Sequence, residues 1–199
     1  TGFFLDQRAN RQRVARLAAG KRVLNVFGYT GGFSLAAALQ GAARTTTVDL
    51  SAPALEDAKA HFERNGLSAS AHEFIPADAF DYLGGIAARP GGAPFEVAVC
   101  DPPSFAHRRK DLGRAKAAYA RLFGALLRGM PDHATVVLAS CSSHVSRSTF
   151  LEIVGESALA AGVSLVLGEV CGADVDHPTL PGFPQGEYLK CVYATVSRD

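Results

Sequence analysis

Two patterns of apolar and polar residues alternate along this chain: short apolar runs, typical of buried strands, and the helical period of about 3.6 residues. Short apolar runs predict seven strands, at 22–27, 45–49, 71–75, 95–100, 135–140, 164–170 and 188–196. Helical patterns lie between most of them and predict helices at 6–19, 32–40, 53–65, 79–88, 112–128 and 147–161. Such alternation is typical of βαβ units, so we expect an α/β fold with a mostly parallel sheet covered by helices on both faces.

The last two predicted strands differ from the others, because no convincing helical pattern joins them. The segment between them, 172–186, is rich in Pro and Gly and predicts a loop. Parallel neighbours need a longer crossover, usually a helix, so we expect these two strands to pair antiparallel at one edge of the sheet. The length of 199 residues fits one domain, which we place at 1–199.

Composition narrows the class of protein. Hydrophobic residues make up 48% and charged residues 20% of the chain, as in globular proteins. No apolar run approaches the roughly 18 residues of a membrane span, and the opening residues lack the regions of a signal peptide. We therefore expect a cytoplasmic protein with no membrane partner. The net charge of +1 gives no general attraction to nucleic acid, so any basic surface must be local.

The four cysteines stand at positions 100, 141, 171 and 191, without CxxC spacing. This pattern predicts neither a disulfide framework nor a zinc site, and it fits a reducing compartment. The histidines show no metal-ligand spacing either, so we expect no metal. A basic segment at 107–110 has two interpretations, a solvated loop or a phosphate-binding lip beside a site.

Two motifs with reactive side chains follow neighbouring predicted strands. Asp101 begins the segment Asp-Pro-Pro-Ser-Phe after the fourth strand, and Cys141 lies in Ser-Cys-Ser after the fifth. Ligands bind at the carboxyl ends of parallel strands, so both side chains are expected at one edge of the sheet. An acid that holds a ring nitrogen and a thiol that attacks a ring carbon are what carbon methylation of a base requires.

The first three strands end in residues suited to a nucleoside. The first is followed by a glycine-bearing turn at 28–32, which is neither GxGxxG nor a P-loop. Asp49 ends the second strand, where an acid accepts hydrogen bonds from a ribose diol, or caps a helix. Asp78 and Phe80 follow the third and could hold an adenine, or serve as a helix cap and a core residue. An adenosine site without phosphate-binding features favours S-adenosylmethionine.

With these motifs, the chain resembles the class I S-adenosylmethionine-dependent methyltransferases, and most closely the large-subunit ribosomal RNA cytosine-C5 methyltransferase I family. The resemblance rests on segments 1–11, 25–33, 48–51, 101–105, 140–142, 177–178 and 187–190. It implies a Rossmann-like sheet of strand order 3-2-1-4-5-7-6 with strand 7 antiparallel. The opening segment, Ser-Cys-Ser and the final Tyr-Leu-Lys are its most specific motifs.

The resemblance also implies site residues. It makes Cys141 the catalytic nucleophile and Asp101 its acidic partner. The cofactor residues that we expect from the resemblance and the strand ends together are Gln7, Arg8, Phe27, Gly28, Tyr29, Thr30, Gly31, Asp49, Leu50, Ser51, Asp78, Ala79, Phe80, Asp101 and Pro102. A polar role for the opening segment competes with its interpretation as the start of an exposed basic helix. The expected substrate is RNA, and members of the family often form homodimers.

Other interpretations of these residues stay open. Cys141 could instead be a small buried hydrophobic residue, as cysteines at strand ends often are. Phe105 fits either the base pocket or the core. Lys190 fits either a site or the plain surface. The same motifs also fit an enzyme that methylates a purine amine or a small molecule without a cysteine nucleophile. They fit a non-catalytic module that binds the cofactor as well. Relatives usually carry a PUA domain before this region, so we expect either a catalytic fragment or another mode of RNA binding.

Overall fold

The computed structural model describes residues 3–88, 94–106, 108–183 and 186–198. Helices and strands alternate through these ranges, as the sequence pattern predicts. The helices are α1 Arg8–Leu17, α2 Gly32–Leu39, α3 Ala52–Arg64, α4 Ala79–Ala87, α5 Leu112–Gly129 and α6 Arg147–Ala161. The strands are β1 Arg22–Val26, β2 Arg44–Asp49, β3 Glu73–Pro76, β4 Val97–Cys100, β5 Thr135–Ser140, β6 Ser164–Cys171 and β7 Lys190–Ser197.

The seven strands form one sheet in the order β3-β2-β1-β4-β5-β7-β6. The first five pair parallel, with β4 between β1 and β5. β7 pairs antiparallel with both β5 and β6. This arrangement confirms the predicted fold class, strand order and antiparallel edge.

Element boundaries differ from the predicted ones where a turn replaces a regular period. Residues Leu5–Gln7 form a short 3-10 helix, so α1 begins two residues later than predicted. A second 3-10 turn at Ala69–Ala71 delays β3 in the same way. Strand β7 begins at Lys190, two residues later than predicted, and the hydroxyl of Tyr188, which precedes the strand, donates to Asp6.

Side chains alternate between two cores on opposite faces of the sheet. One face packs against α4, α5 and α6 and buries Leu24, Cys100 and Leu138. The other packs against α1 and α2 and buries Val23 and Val99. Period-two alternation of apolar residues on both faces is expected of strands covered on both sides. Cys100 is therefore a core residue.

Two findings concern membranes and metals. In the part of the chain that the structure describes, no helix combines the length and the apolar character that a membrane crossing needs. Within the same ranges, no group of three or more His, Cys, Asp or Glu side chains could hold a metal ion.

The turn from β1 to α2 holds the backbone in a costly conformation. Phe27 and Tyr29 both have positive φ angles, 60° and 47°, which L side chains seldom adopt. Between them, a Cβ atom on Gly28 would lie 2.4 Å from Cγ2 of Thr47 and 3.0 Å from Nδ2 of Asn25. Strain of this kind persists where the surrounding structure enforces it, often at functional sites.

We predict that Gly28→Ala lowers the free energy of unfolding by about 1–3 kcal/mol, because the added methyl overlaps the buried Thr47 side chain. Gly155→Ala is the matched control, since nothing lies within 4 Å of its Cβ position in α6. That control should gain up to about 1 kcal/mol from higher helix propensity. Urea unfolding of the three proteins checks this, and equal stability of Gly28→Ala and the parent would contradict it.

Candidate active site

A cavity of about 530 Å³ opens where β1, β2, β4 and β5 end, as parallel strand topology predicts. Loops that follow these strands and the N-terminal segment from Phe3 to Arg11 form its wall. The structure brings most of the expected site residues to this cavity: Gln7, Phe27, Gly28, Tyr29, Thr30, Asp49, Leu50, Asp78, Ala79, Asp101, Pro102 and Cys141.

Arg8 is an expected site residue that the structure places outside the cavity wall. Its guanidinium points toward the loop after β6, where it pairs with Asp174 at 2.9 Å and with Asp176 at 3.2 Å. The Arg8 side chain is 49% exposed, so these pairs contribute little to stability. Arg8 ties the N-terminal segment to that loop and does not line the cavity.

Gly31, Ser51 and Phe80 also lie outside the cavity wall, and each has a structural role. Gly31 has φ +77° and packs under Ala58, which a side chain would displace. Ser51 caps α3, its hydroxyl accepting from the Ala54 amide. The Phe80 ring lies under the guanidinium of Arg121, 4.2 Å from its centroid. These residues shape the strand ends from outside the cavity.

Asp49 orders the two loops beside it. Its Oδ2 accepts the Tyr29 amide at 2.8 Å, and its Oδ1 accepts the Ser51 amide at 2.9 Å. Because Ser51 caps α3, the structure excludes a helix-capping role for Asp49. A carboxylate offers about four lone-pair sites, so two backbone donors leave room for hydroxyl donors from the cavity.

Asp78 combines both roles that the sequence left open. Its Oδ1 accepts the amides of Phe80 and Asp81 at 2.8 and 3.2 Å, which makes it the N-cap of α4. It also lines the cavity next to Ala79. Its second oxygen has no hydrogen-bond partner among the described residues. That oxygen is free to accept a hydrogen bond from an amine.

Asp101 is held by a chain of buried amides. Gln7 donates to its Oδ2 at 2.9 Å, Asn10 donates to Gln7 at 2.6 Å, and the Tyr193 hydroxyl donates to the Asn10 side-chain oxygen at 3.2 Å. Burial, helped by the charge of Asp6, raises the pKa of Asp101 to about 6, although the Gln7 hydrogen bond opposes the shift. Asp101 therefore holds or releases a proton close to neutral pH.

The N-terminal segment closes over this carboxyl group. Arg11 is buried: it donates to the Phe4 carbonyl at 2.8 Å and its guanidinium lies 3.9 Å from the centre of the Phe3 ring. Asp6 accepts the Tyr188 hydroxyl at 2.8 Å, which joins the segment to the end of the chain. The interpretation of this region as an exposed basic helix is therefore wrong for Arg11.

Cys141 faces the same cavity from the loop after β5. Its Sγ lies 4.0 Å from the carbonyl oxygen of Pro102, the residue after Asp101. Burial and the nearby Asp101 charge raise the pKa of the thiol, while Lys190 lowers it. The acid and the thiol thus line the same cavity, and Cys141 is half-buried there rather than enclosed in the core.

Ser142 and Lys190 fix the loop that carries Cys141. The Ser142 hydroxyl donates to the Ala106 carbonyl at 3.1 Å. Lys190 donates from Nζ to the carbonyl oxygens of Ser142 and Tyr188. Burial lowers the pKa of Lys190 to about 8, so the side chain is mostly an ammonium group at pH 7 and loses its proton just above neutral pH. The lysine is 3% exposed, so its interpretation as a plain surface residue is wrong.

Other residues that the sequence singled out lie away from the cavity. Phe105 packs against Tyr119 in the core, with ring centroids 4.8 Å apart. His177 bonds to Asp176 and does not line the cavity. Residues 108–110 are exposed, and His107 lies outside the described residues.

Sequence reasoning missed cavity residues whose burial depends on tertiary contacts. Asp6, Arg11 and Leu189 line the cavity, but the sequence did not single them out as site residues. Tyr188 and Leu189 had a signal, because they belong to the Tyr-Leu-Lys motif that the resemblance uses. Arg11 lies in the opening segment of the resemblance, but its burial had no signal, since a buried arginine in a run of basic residues has the same spacing as an exposed one.

Comparison with known families gives one broad match. The family described as S-adenosylmethionine-dependent methyltransferase matches residues 1–158. Among curated proteins, a ribosomal RNA large subunit methyltransferase of Deinococcus radiodurans is 39% identical over 193 residues, which is 97% of this chain and 46% of that protein. Ribosomal RNA large subunit methyltransferase I of Aeromonas salmonicida is 40% identical over 190 residues, 96% of this chain and 48% of that protein. The chain spans about half the length of these relatives.

A solved structure shares the fold. A candidate methyltransferase crystallised with SAH (S-adenosylhomocysteine) superposes with a TM-score of 0.86 at 29% identity, covering 98% of this chain and 50% of that one. The similarity extends over nearly all of the present chain.

We predict that Asp101→Asn stabilises the protein at neutral pH and not in acid. Folding raises the pKa of Asp101 from 3.8 to about 6, so its favourable contribution is full below about pH 4 and is lost as pH rises through 6. Asparagine keeps an oxygen for the Gln7 amide and never ionises. Urea unfolding should show a gain of about 2–3 kcal/mol at pH 7.5 that vanishes near pH 4.

The parent protein measured at the same pH values is the control. A difference between the two proteins that does not change with pH would contradict this account of Asp101. So would a loss of stability at pH 7.5.

Proposed function

The chain belongs to the S-adenosylmethionine-dependent methyltransferase family, and we propose that it forms 5-methylcytosine in large-subunit ribosomal RNA through a covalent Cys141 adduct. The observation that carries the proposal is the position of Cys141. Its sulfur lies 4.0 Å from the Pro102 carbonyl, in the same cavity wall as Asp101. Transfer to an amine would need no thiol there.

S-adenosylmethionine is the cofactor of this family, and the cavity residues fit it. We propose that Asp49 accepts the ribose hydroxyls, because backbone donors orient both its oxygens and each oxygen keeps a lone pair for a further donor. Asp78 has one oxygen free for the adenine amine. Gln7 and Asp101 would meet the methionine end, beneath the N-terminal segment. When bound, the cofactor supplies a methyl group on a positively charged sulfur.

The thiol of Cys141 would act on the cytosine ring. Cytosine C5 is a weak nucleophile, but addition of the thiolate at C6 makes C5 resemble an enamine carbon. A proton on Asp101, whose pKa is about 6, can be shared with ring nitrogen N3 and so stabilise the added negative charge. After C5 has taken the methyl group from the positively charged sulfur, the C5 proton leaves to water, the N3 proton returns to Asp101, and rupture of the Cys141–C6 bond restores the aromatic ring and the thiolate.

Lys190 supports the ionised form of Cys141. Burial and the Asp101 charge keep the pKa of the thiol above its ordinary value, so little thiolate is present at neutral pH. The buried ammonium group of Lys190 opposes part of this shift, and its hydrogen bond to the Ser142 carbonyl fixes the loop next to the sulfur. We propose that Lys190 positions and charges the loop without touching the substrate.

Ribosomal RNA as the substrate is supported by the names of the curated relatives. Those proteins are about twice as long as this chain, so we extend their substrate to it as a proposal. A cytoplasmic location and a homodimeric assembly are part of the same proposal, and sedimentation of the purified chain tests the dimer.

We predict that Cys141→Ala lowers methyl transfer to RNA at least about 10³-fold, because the ring is no longer activated. Binding of S-adenosylhomocysteine, measured by calorimetry, should change less than about twofold. Cys171→Ala is the matched control, since Cys171 is a partly exposed cysteine outside the cavity wall, and it should keep full activity.

The product identifies the reaction. Mass spectrometry of large-subunit ribosomal RNA treated with this chain and labelled cofactor should show label in 5-methylcytosine. Label in a methylated purine amine, transferred equally well by Cys141→Ala, would replace the cytosine proposal with the amine alternative. Cofactor binding without transfer to any RNA would favour a non-catalytic module.

A further inference from the structure

The basic charge of this chain is concentrated in one short stretch. Between residues 108 and 121 lie six of the chain's 20 Lys and Arg residues, but only one of its 19 Asp and Glu residues, Asp111. The rest of the chain is therefore net negative, although the whole chain carries +1. A local basic surface on an otherwise acidic protein indicates a partner with dense negative charge.

The cations at the start of this stretch are available to such a partner. Arg108, Arg109 and Lys110 are exposed, and none makes an ion pair with another residue in the described part of the chain. One turn further on, Arg114 pairs with Asp111 at 2.6 Å, but its side chain is 85% exposed. An ion pair so exposed is weak and exchanges readily for another anion.

The backbone ties this cluster to the loop of Cys141. The Ala106 carbonyl accepts the Ser142 hydroxyl at 3.1 Å, and Ser142 follows Cys141 directly. Arg108 is two residues beyond Ala106, so its Cα lies within about 7 Å of that anchor. On the other side, Pro103 lines the cavity itself. The basic cluster thus begins at the rim of the cavity, beside the thiol.

We propose that Arg108, Arg109 and Lys110 form a phosphate-binding lip that holds the RNA backbone while a base enters the cavity. The proposal rests on the proposed function, in that RNA is the substrate of the same site. RNA fits this surface because its phosphates recur along the strand, so adjacent cations can be satisfied together. Arg114 extends the lip along α5.

The test compares two triple variants of this chain. The lip variant carries R108Q, R109Q and K110Q. The control variant carries R16Q, K21Q and R64Q, three cations at the ends of α1 and α3 and before β1, none of which lines the cavity. Fluorescence anisotropy with a labelled fragment of unmodified large-subunit ribosomal RNA gives the affinity from 50 to about 200 mM salt.

The lip variant should bind this RNA on the order of 10- to 100-fold more weakly. The slope of log affinity against log salt concentration should become less steep by up to about 2, since each lost phosphate contact reduces the slope by about 0.7. The affinity for S-adenosylhomocysteine should not change, because the three residues lie outside the cavity wall. The control variant should bind RNA like the parent.

Equal RNA binding by the lip variant and the parent would overturn the proposal, as would equal losses in both variants. Binding of the parent to anionic phospholipid vesicles and not to RNA would assign the surface to a membrane instead. The proposal about the lip and the proposal about the cytosine reaction can be refuted independently. Salt-dependent RNA binding that depends on the lip, without any 5-methylcytosine, would retain the lip and reject the cytosine reaction.

Discussion

Parallel pairing of β4 with β1 and β5 is the constraint on which the site depends. Cys100 pairs in register with Val26 on one side and with Leu138 on the other. The next residue along β4 is Asp101, so the acid emerges at the edge where the glycine turn also lies. Strand β5 continues to Ser140, two residues beyond Leu138. Because a strand rises about 3.3 Å per residue, Cys141 projects further out than Asp101.

The site contains several features that lower the stability of the fold, and packing in the two cores has to compensate for them. Asp101 and Lys190 are ionisable groups held away from water, and their pKa values shift to about 6 and about 8 as a result. Phe27 and Tyr29 hold positive φ angles in the turn beside them. Burial of a carboxyl and an ammonium group costs stability, but it also gives each group a pKa near neutral pH, where proton exchange is useful.

The sequence was sufficient for the periodic parts of the molecule. Helix α6 has the predicted bounds, because the period of its apolar residues is a local property of the sequence. The strand order agrees with the one that the family resemblance implied from the positions of the motifs. The positions of Asp101 and Cys141 at one cavity were also predictable, since parallel strands end at one edge. The burial of Arg11 and Lys190 was not predictable. Their burial depends on contacts with segments far away in the chain, and a charged residue has no period that reveals such contacts.

The most direct test of the account is covalent capture of the substrate. The Cys141–C6 bond can break only when C5 loses its proton. In RNA that contains 5-fluorocytosine, fluorine stands in place of that proton and cannot leave as a cation, so the bond should persist once C5 is methylated. We expect intact-protein mass spectrometry in denaturant to show a methylated protein–RNA adduct that peptide mapping assigns to Cys141. Methylation of normal cytosine without any adduct on the fluorinated RNA, or an adduct on another cysteine, would contradict the account.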